Sequence, residues 1–438
     1  MAQISSFNGL QTSLRGLLAH QRMLDVASHN ISNADTEGYT RQSVVTTAAP
    51  GILVQGASSL GGTNWLGQGV EVDSYRRLRD NYLDVSSRTQ NMLLGQRSAL
   101  ADGLSRVDSA LNEPSDTGLS AQLNKFFSSF QTLANNPSDS SARITVVAAA
   151  QALTTSFTDL DARLTTVQND ASANYTALTT GPSNQVGEYA KQLVELNDAI
   201  GHAQAAGQQP NDMLDKRDVI LDKLSQLAQV SISTNPNGKL SVTFGDAATP
   251  LVDGSAATSV ATWPQALTNP GGQLGGLLQV QTMTTAYRAQ LDGVASSLAT
   301  SVNAIHGAPP FFTGSTAATI AVNVTAGTLQ AGSGATPESN DLATAIAALR
   351  GGSVSTSYGT LVATIGSDAS ASAAQRDLST SLVADVDSRR QAVSGVSLDE
   401  EMSNLIQFQR GYQASARTMT TFDAMLDTLI NRTGTVGL

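Results

Sequence analysis

The chain has 438 residues, of which 40% are hydrophobic but only 5% aromatic and 14% charged, a mixture suited to long helices with thin apolar seams rather than one large core. Its 25 basic and 36 acidic residues give a formal charge of -11 with no basic run, which argues against nucleic acid or an anionic membrane surface as a partner. Cysteine is absent, no run reaches the ~20 apolar residues of a membrane span, and the first residues lack the basic start, apolar core and cleavage site of a secretory signal.

The first helix is expected from near Ser5 to a stop between Asn30 and Gly38. Phe7, Leu10, Leu14, Leu17, Leu24 and Ile31 keep a three-four spacing, with Gln21 and Ser28 as polar gaps, and so share one stripe. Asn30 to Tyr39 reads as a helix stop and turn, because Asn and Gly accept the left-handed conformation. Residues 41–75 are β-prone: Val70 and Val72 alternate with Glu71 and Asp73 after Gly67-Gln68-Gly69, and Trp65 beside this turn reads as a local packing anchor. Leu78, Tyr82, Val85, Met92, Leu104, Val107 and Leu111 mark a long helix closed by Glu113-Pro114. A shorter helix from Leu119 to Leu133 carries Phe126, Phe127 and Phe130, expected in the densest core. The cleanest seam follows Asn135-Asn136-Pro137: Val146, Ala150, Leu153, Phe157, Leu160, Leu164, Val167 and Ala171, then Tyr175 and Leu178 before Gly181-Pro182.

A returning helix runs through Val186, Tyr189, Leu193, Leu196 and Ile200, and another through Met213, Ile220, Leu224 and Leu227. In the second, Asp212, Asp215, Lys216, Arg217, Asp218, Asp222 and Lys223 read as a solvated face. The period then becomes two. Val230 and Ile232, the turn Asn235-Pro236-Asn237-Gly238, and Leu240, Val242 and Phe244 give a hairpin signal. Leu251-Val252-Asp253-Gly254 and Trp263-Pro264 extend it. A helix from Leu274 to Ile305 intervenes before a second β-prone piece with Phe311-Phe312 and the alternating Ile320, Val322 and Val324, which is expected to pair with the first. Helices resume through Leu342, Ile346 and Leu349, then Leu378, Leu382, Val386 and Val393. The tail closes with Leu398, Met402, Leu405, Phe408, Tyr412, Met419, Phe422, Leu426 and Leu429 on one stripe.

These patterns give a mainly α chain with an inserted β domain, an elongated helical bundle built from both chain ends with terminal coiled-coil helices. The expected segments are an N-terminal axial piece 1–38, a rod-like body 39–229, β pieces 230–265 and 307–340 around a long body helix 266–306, body again 341–396, and a C-terminal axial piece 397–438. Burying each terminal stripe contributes about 10 to 20 kcal/mol, against about 40 to 80 kcal/mol of backbone entropy for some forty residues. Both ends are therefore expected to be largely disordered in a free subunit and to coil only when neighbouring subunits add burial.

The segment ASHNISNADTEGYTRQ resembles the N-terminal signature of flagellar axial proteins, the rod, hook and hook-associated families, with His29 the one departure. NDMLDKRDVILDKLSQLAQVSIS, GGQLGGLLQVQ, YRAQLDGVASSLATSVNAIH and above all SGVSLDEEMSNLIQFQRGYQASARTMTTFDAMLDTLI resemble the hook-associated family more specifically. In the last of these Ser394, Gly395, Val396, Leu398, Asp399, Glu400, Glu401, Asn404, Leu405, Gln409, Tyr412, Gln413 and Ala414 fit its pattern. The resemblance implies a structural subunit at the hook–filament junction, outside the cell and exported without a cleaved signal through the flagellar type III channel. Its implied partners are further copies of itself in a ring, the hook protein, a second hook-associated junction protein and an export chaperone on the C-terminal segment. It also implies that Phe7, Leu10, Leu14, Leu17, Leu24, Asn30, Ile31, Asn33, Gly38 and Tyr39 pack between subunits, as does the tail stripe. Another axial component, such as hook or distal rod protein, is the nearest alternative, and a flagellum-associated cell-wall hydrolase a remote one.

Little in the sequence suggests chemistry. His20, His29, His202 and His306 are far apart, no His-Glu-x-x-His or Gly-x-Ser-x-Gly pattern occurs, and Gly271, Gly272, Gly275 and Gly276 lack a phosphate loop's Gly-Lys-Ser/Thr. No enzyme activity, cofactor or metal is expected.

Overall fold

The computed structural model describes residues 3–55, 63–180, 184–234, 239–254, 256–257, 267–334, 336 and 338–432. Helix α1 (Gln3–Ser32) leads into strands β1 (Gln42–Ala48), β2 (Ile52–Gln55), β3 (Thr63–Leu66) and β4 (Val70–Arg77). Helices α2 (Asn81–Leu111), α3 (Leu119–Asn135), α4 (Ser140–Thr179), α5 (Gln185–Ala205) and α6 (Asn211–Leu227) follow. Strands β5 (Val230–Thr234), β6 (Leu240–Phe244), β7 (Val252–Asp253) and β8 (Ala256–Ala257) precede α7 (Gly272–His306). After β9 (Phe312–Thr313) and β10 (Ala321–Val322) come α8 (Asp341–Ala347), α9 (Ser353–Ser394) and α10 (Leu398–Asp427), which ends in a π-helical turn, Thr428–Arg432.

The main core forms where α2, α3, α4, α7, α8 and the first half of α9 meet. All eight seam residues of α4, from Val146 to Ala171, are buried in it, each large one contributing about 1.5–3 kcal/mol. Arg288 of α7 reaches α4 with two hydrogen bonds to Asp161, at 2.8 and 3.1 Å. Asp80 starts α2 by accepting from the amides of Tyr82 and Leu83, and the left-handed Asn112 stops it. Phe126, Phe130, Phe311 and Phe312 pack edge-on or tilted, with ring centroids 4.7 to 5.8 Å apart.

His306 joins this cluster. Its Nε2 accepts from the Gln330 amide at 3.1 Å, so its Nδ1 carries the proton and donates to the Pro309 carbonyl at 2.9 Å. Burial pushes this imidazole below its ordinary value. A base with a lowered folded value adds stability above its unfolded pKa and loses it as the pH falls. Urea unfolding should thus show a loss of stability between about pH 7 and pH 5.5, with a smaller slope in His306→Gln; equal slopes would remove His306 as the cause.

A second core joins α5, α6 and the four-stranded antiparallel sheet β5-β6-β7-β8, around Val186, Leu193, Leu224, Val242 and Phe244. Among the described residues the two β-prone stretches do not pair. Strand β9 pairs with β10, and Phe311, Phe312, Ile320 and Val324 bury into the main core, because the phenylalanines find the aromatic face of α3 there. The expected turn at 235–238, the Trp263-Pro264 region and the Gly181-Pro182 stop lie outside the described residues.

Strands β1 and β4 form an antiparallel ribbon from Gln42 against Arg77 to Ala48 against Val70, with a bulge between Val45 and Thr46. A shorter ribbon, β2-β3, extends from it, and there Trp65 is 73% exposed. It is no packing anchor: a two-stranded ribbon has no second layer to cover it. Both terminal segments, expected to lack structure in a free subunit, are helical and packed on each other within one chain. The expectation counted only the large stripe residues, whereas α1 also lies on β1 and β4 and is tied down by polar groups at its end.

Candidate functional site

Helices α1 and α10 run antiparallel in one continuous register. A Cβ on Gly9 would meet the Phe422 ring at 2.4 Å, one on Gly16 would lie 3.2 Å from the Ser415 hydroxyl, and one on Gly411 would meet the His20 ring at 2.4 Å. Asn30 then reaches Glu401 with a 3.1 Å hydrogen bond. Each step forward on α1 is matched by an equal step back on α10. Close approach selects small residues: Gly9 and Gly16 lie half-buried against α10, and Ser13, Ala19 and Ala27 of α1 are buried, Ala27 to 1% exposure.

Large side chains are correspondingly displaced from the seam. Of the residues the apolar spacing selects, Leu10, Leu17, Leu24 and Ile31 on α1 and Leu405, Phe408, Tyr412, Met419, Phe422 and Leu426 on α10 are half-buried. Phe7 and Leu14 face outward with Leu18, and Leu398 and Met402 face outward with Ile406; Phe7 is 58% exposed and Met402 53%. The Leu429 side chain lies outside what is described. Along α1, Asn8 Oδ1, Arg15 Nη1 and His20 Nδ1 are enclosed with no hydrogen-bond partner among the described residues.

A polar joint links this pair to the body. Asn30, 1% exposed, uses its amide fully: Nδ2 donates to the Gln42 carbonyl and Glu401, and Oδ1 accepts from Tyr39 Oη at 2.7 Å and the Gln42 amide at 3.0 Å. With its proton on Asn30, Tyr39 Oη accepts from His29 Nδ1 at 3.0 Å. Burial first, then Asp212, Asp215 and Glu401, push the Tyr39 phenol well up, so it stays a donor. Arg41 clasps Glu401 and Glu400 at 2.7 Å each. Asn33 bonds back to the His29 carbonyl, and Gly38 adopts φ +75 with room for no side chain beside Val219. A cleft of about 840 Å³ lies between residues 34–41, α6 and the end of α9.

Beneath the joint, Asp215 and Asp218, which spacing placed on a solvated face, are buried, and Arg217, Asp222 and Lys223 are half-buried, while Asp212 and Lys216 are exposed as expected. Asp218 pairs with Arg79, which pairs with Asp84 at 2.6 Å; Asp84 pairs with Arg390, Arg390 with Asp222 at 2.7 Å, Asp222 with Arg88 at 2.9 Å, and Arg88 returns to Asp218. Arg77 bridges Asp218 to Asp215, both at 2.8 Å. The closed ring connects β4 and its exit, α2, α6 and α9. Local spacing cannot reveal it, because its arginines and aspartates come from segments some 300 residues apart. Small seam residues were also missed by a search for large apolar ones; the seven-residue spacing of Gly9 and Gly16 was the available sign.

Three family models match the chain: "Flagella basal body rod protein" at residues 10–40, "Flagellar hook-associated protein FlgK helical domain" at 104–271, and "Flagellar basal body rod FlgEFG protein C-terminal" at 389–432. The first covers most of α1 and the turn after it, and the last runs from the end of α9 through α10. Flagellar hook-associated protein 1 of Bacillus subtilis is 30% identical over 99% of this chain and 99% of its own length. The Escherichia coli protein of that name is 32% identical over 58% of this chain and 45% of its own. A solved hook junction protein, FlgK from Burkholderia pseudomallei, is 27% identical with a TM-score of 0.43, over 52% of this chain and 44% of that one. Full-length similarity to the Bacillus protein, with matches at both ends and in the helical body, settles the assignment: the chain belongs to the flagellar hook-associated protein 1 family, structural components of the flagellum.

Proposed function

We propose that this chain is the subunit joining hook to filament and that it polymerises through α1 and α10. The observation that carries the proposal is the terminal pair itself, closed inward on glycines and open outward on Phe7, Leu14, Leu18, Leu398, Met402 and Ile406. An exposed apolar stripe along each of two helices asks for further helices, and copies of the same chain supply them. The enclosed, unpartnered atoms of Asn8, Arg15 and His20 add to this, since groups left without hydrogen bonds favour repacking.

In this reading residues 1–38 and 397–438 are the axial segments of a homo-oligomeric ring, and the helical body lies outside them. The ring meets hook protein on one side and the second hook-associated protein on the other. The chain leaves the cell through the flagellar type III channel, with a chaperone holding the α10 stripe until assembly. Its role is mechanical and uses no cofactor.

A strain lacking this chain tests the reading. Intact hooks without filaments, with filament protein shed into the medium and filaments restored by the gene, are expected. Loss of the hooks themselves would indicate a hook or rod component instead, and release of glycan or peptide by the purified protein would indicate a hydrolase.

A further inference from the structure

The terminal pair is two-faced. On α1, Phe7, Leu14 and Leu18 stand across the helix from Gly9, Gly16 and His20, which face α10. On α10, Leu398, Met402 and Ile406 stand across from Gly411 and Ser415, which face α1. The two exposed apolar faces therefore look away from each other, and they lie at different heights. The contacts of Gly9 with Phe422, Gly16 with Ser415, His20 with Gly411 and Asn30 with Glu401 set Met402 level with His29, fifteen residues along α1 from Leu14, or about 22 Å of helix. Met425 and Ile430 are exposed as well, at the end of the pair where Phe7 lies.

The charges beside the two faces are opposite. Residues 3–24 carry Arg15 and Arg22 and no acid, and residues 398–409 carry Asp399, Glu400 and Glu401 and no base. Arg22 is paired with Asp25 and both glutamates with Arg41, but Arg15 and Asp399 form no ion pair among the described residues. Like faces would set arginine against arginine or acid against acid, whereas unlike faces bring opposite charges together.

Building on the reading that this chain polymerises through α1 and α10, we infer that the α1 face of one copy docks on the α10 face of the next, both copies pointing the same way and staggered by about 22 Å along the pair. Bringing Leu14 level with Met402 of the next copy also sets Leu18 level with Leu398 and places Asp399 within two residues of Arg15 in height. One register thus covers both apolar faces and joins the two unpaired charges. A face meeting its own equivalent closes a pair and stops, whereas unlike faces on opposite sides leave one free at each end, so the array continues. With this stagger the ring is a turn of a helix rather than a flat disc.

The chain has no cysteine, so introduced pairs report this contact alone. The full-length double variant Leu14→Cys with Met402→Cys is expressed in the strain lacking the chain, and isolated hook–junction particles are mildly oxidised. Within one copy about 22 Å separates the two sites, far beyond the roughly 7 Å between Cα atoms that a disulfide spans, so any cross-link joins two copies. Covalent multimers are expected from the double variant and none from either single variant. Leu18→Cys with Leu398→Cys is a second pair in the same register and should behave alike. Cross-links in a single variant would overturn the contact in favour of like faces. Absence of multimers from both pairs, in particles and in the concentrated purified chain, would overturn it outright. Either failure leaves the polymerisation reading standing when the wild-type gene restores filaments; a wild-type gene that restores none overturns that reading and this contact together.

Discussion

Replacing Asp218 with alanine should destabilise the helical body by about 3–5 kcal/mol, seen as a fall in the urea midpoint at unchanged slope. Asp218 is the ring's hub, its carboxylate taken by Arg77 at 2.8 Å, by Arg79, and by Arg88 at 3.3 Å, with 13% of the side chain exposed. Removing it leaves three guanidinium groups facing one another beneath α6. Ion pairs at an open surface contribute little, and removing one member of a buried set is a different matter, because Arg77, Arg79 and Arg88 keep Asp215, Asp84 and Asp222 but stay desolvated with one carboxylate too few. A loss below about 1 kcal/mol would mean that water enters and solvates the arginines, as it does at exposed pairs. Burial alone would raise the Asp218 carboxyl, but Arg79, Arg77 and Arg88 bring it below the usual aspartate value. A lowered folded pKa gives stability that is complete above the unfolded value and lost as the pH falls beneath it, so the ring should hold down to about pH 4 and fail below. Arg390 sits near the end of α9, four residues before Ser394, whose carbonyl accepts from the Arg41 amide at 2.9 Å. Loosening the ring therefore also loosens the seat of the terminal helices.

Helical existence was legible because one face of each body helix is buried in one of the two apolar cores, so period and burial coincide; α4 is the clearest case. Where an element is held by something other than apolar burial, the periodic signal points elsewhere. Residues Asp215 and Asp218 sit among lysines in a run that any local reading places in water, and only the arginines of β4, α2 and α9 bring them inside. The second half of α9 carries Leu378, Leu382 and Val393 outward while Ser372 and Ser379 are buried, Ser379 against α2, where Arg97 bonds it at 2.6 Å. The same inversion governs the terminal pair. Tight helix–helix approach rewards the absence of a side chain, a feature that hydrophobic counting does not register. The Asn30–Tyr39 turn is different again: the motif was evident, but its purpose, saturating one buried amide with partners from β1 and α10, depends on contacts far apart in sequence.

Two sets of substitutions in the terminal pair should separate its inner and outer faces. Gly9→Leu with Gly411→Leu puts bulk where a single Cβ already meets Phe422 and His20 at 2.4 Å. The obstructing atoms are the ends of side chains, so alanine could be absorbed by a swing of either ring, whereas leucine fills the space into which they would swing. The helices should part, helical circular dichroism should fall by the share of α1 and α10, and the body transition should keep its midpoint, since neither helix contributes a large residue to the two main cores. Leu14→Lys with Leu18→Lys acts on the other side. Both residues are more than two-fifths exposed, so helicity and stability should change by less than about 0.5 kcal/mol, while polymerisation, followed by sedimentation at rising concentration, should be lost. A lysine stripe opposes a second copy without disturbing the first, because its charge must be desolvated only when another helix arrives. Polymers forming normally from the lysine variant would show that the outward stripe is not the assembly surface, whatever the inner seam does.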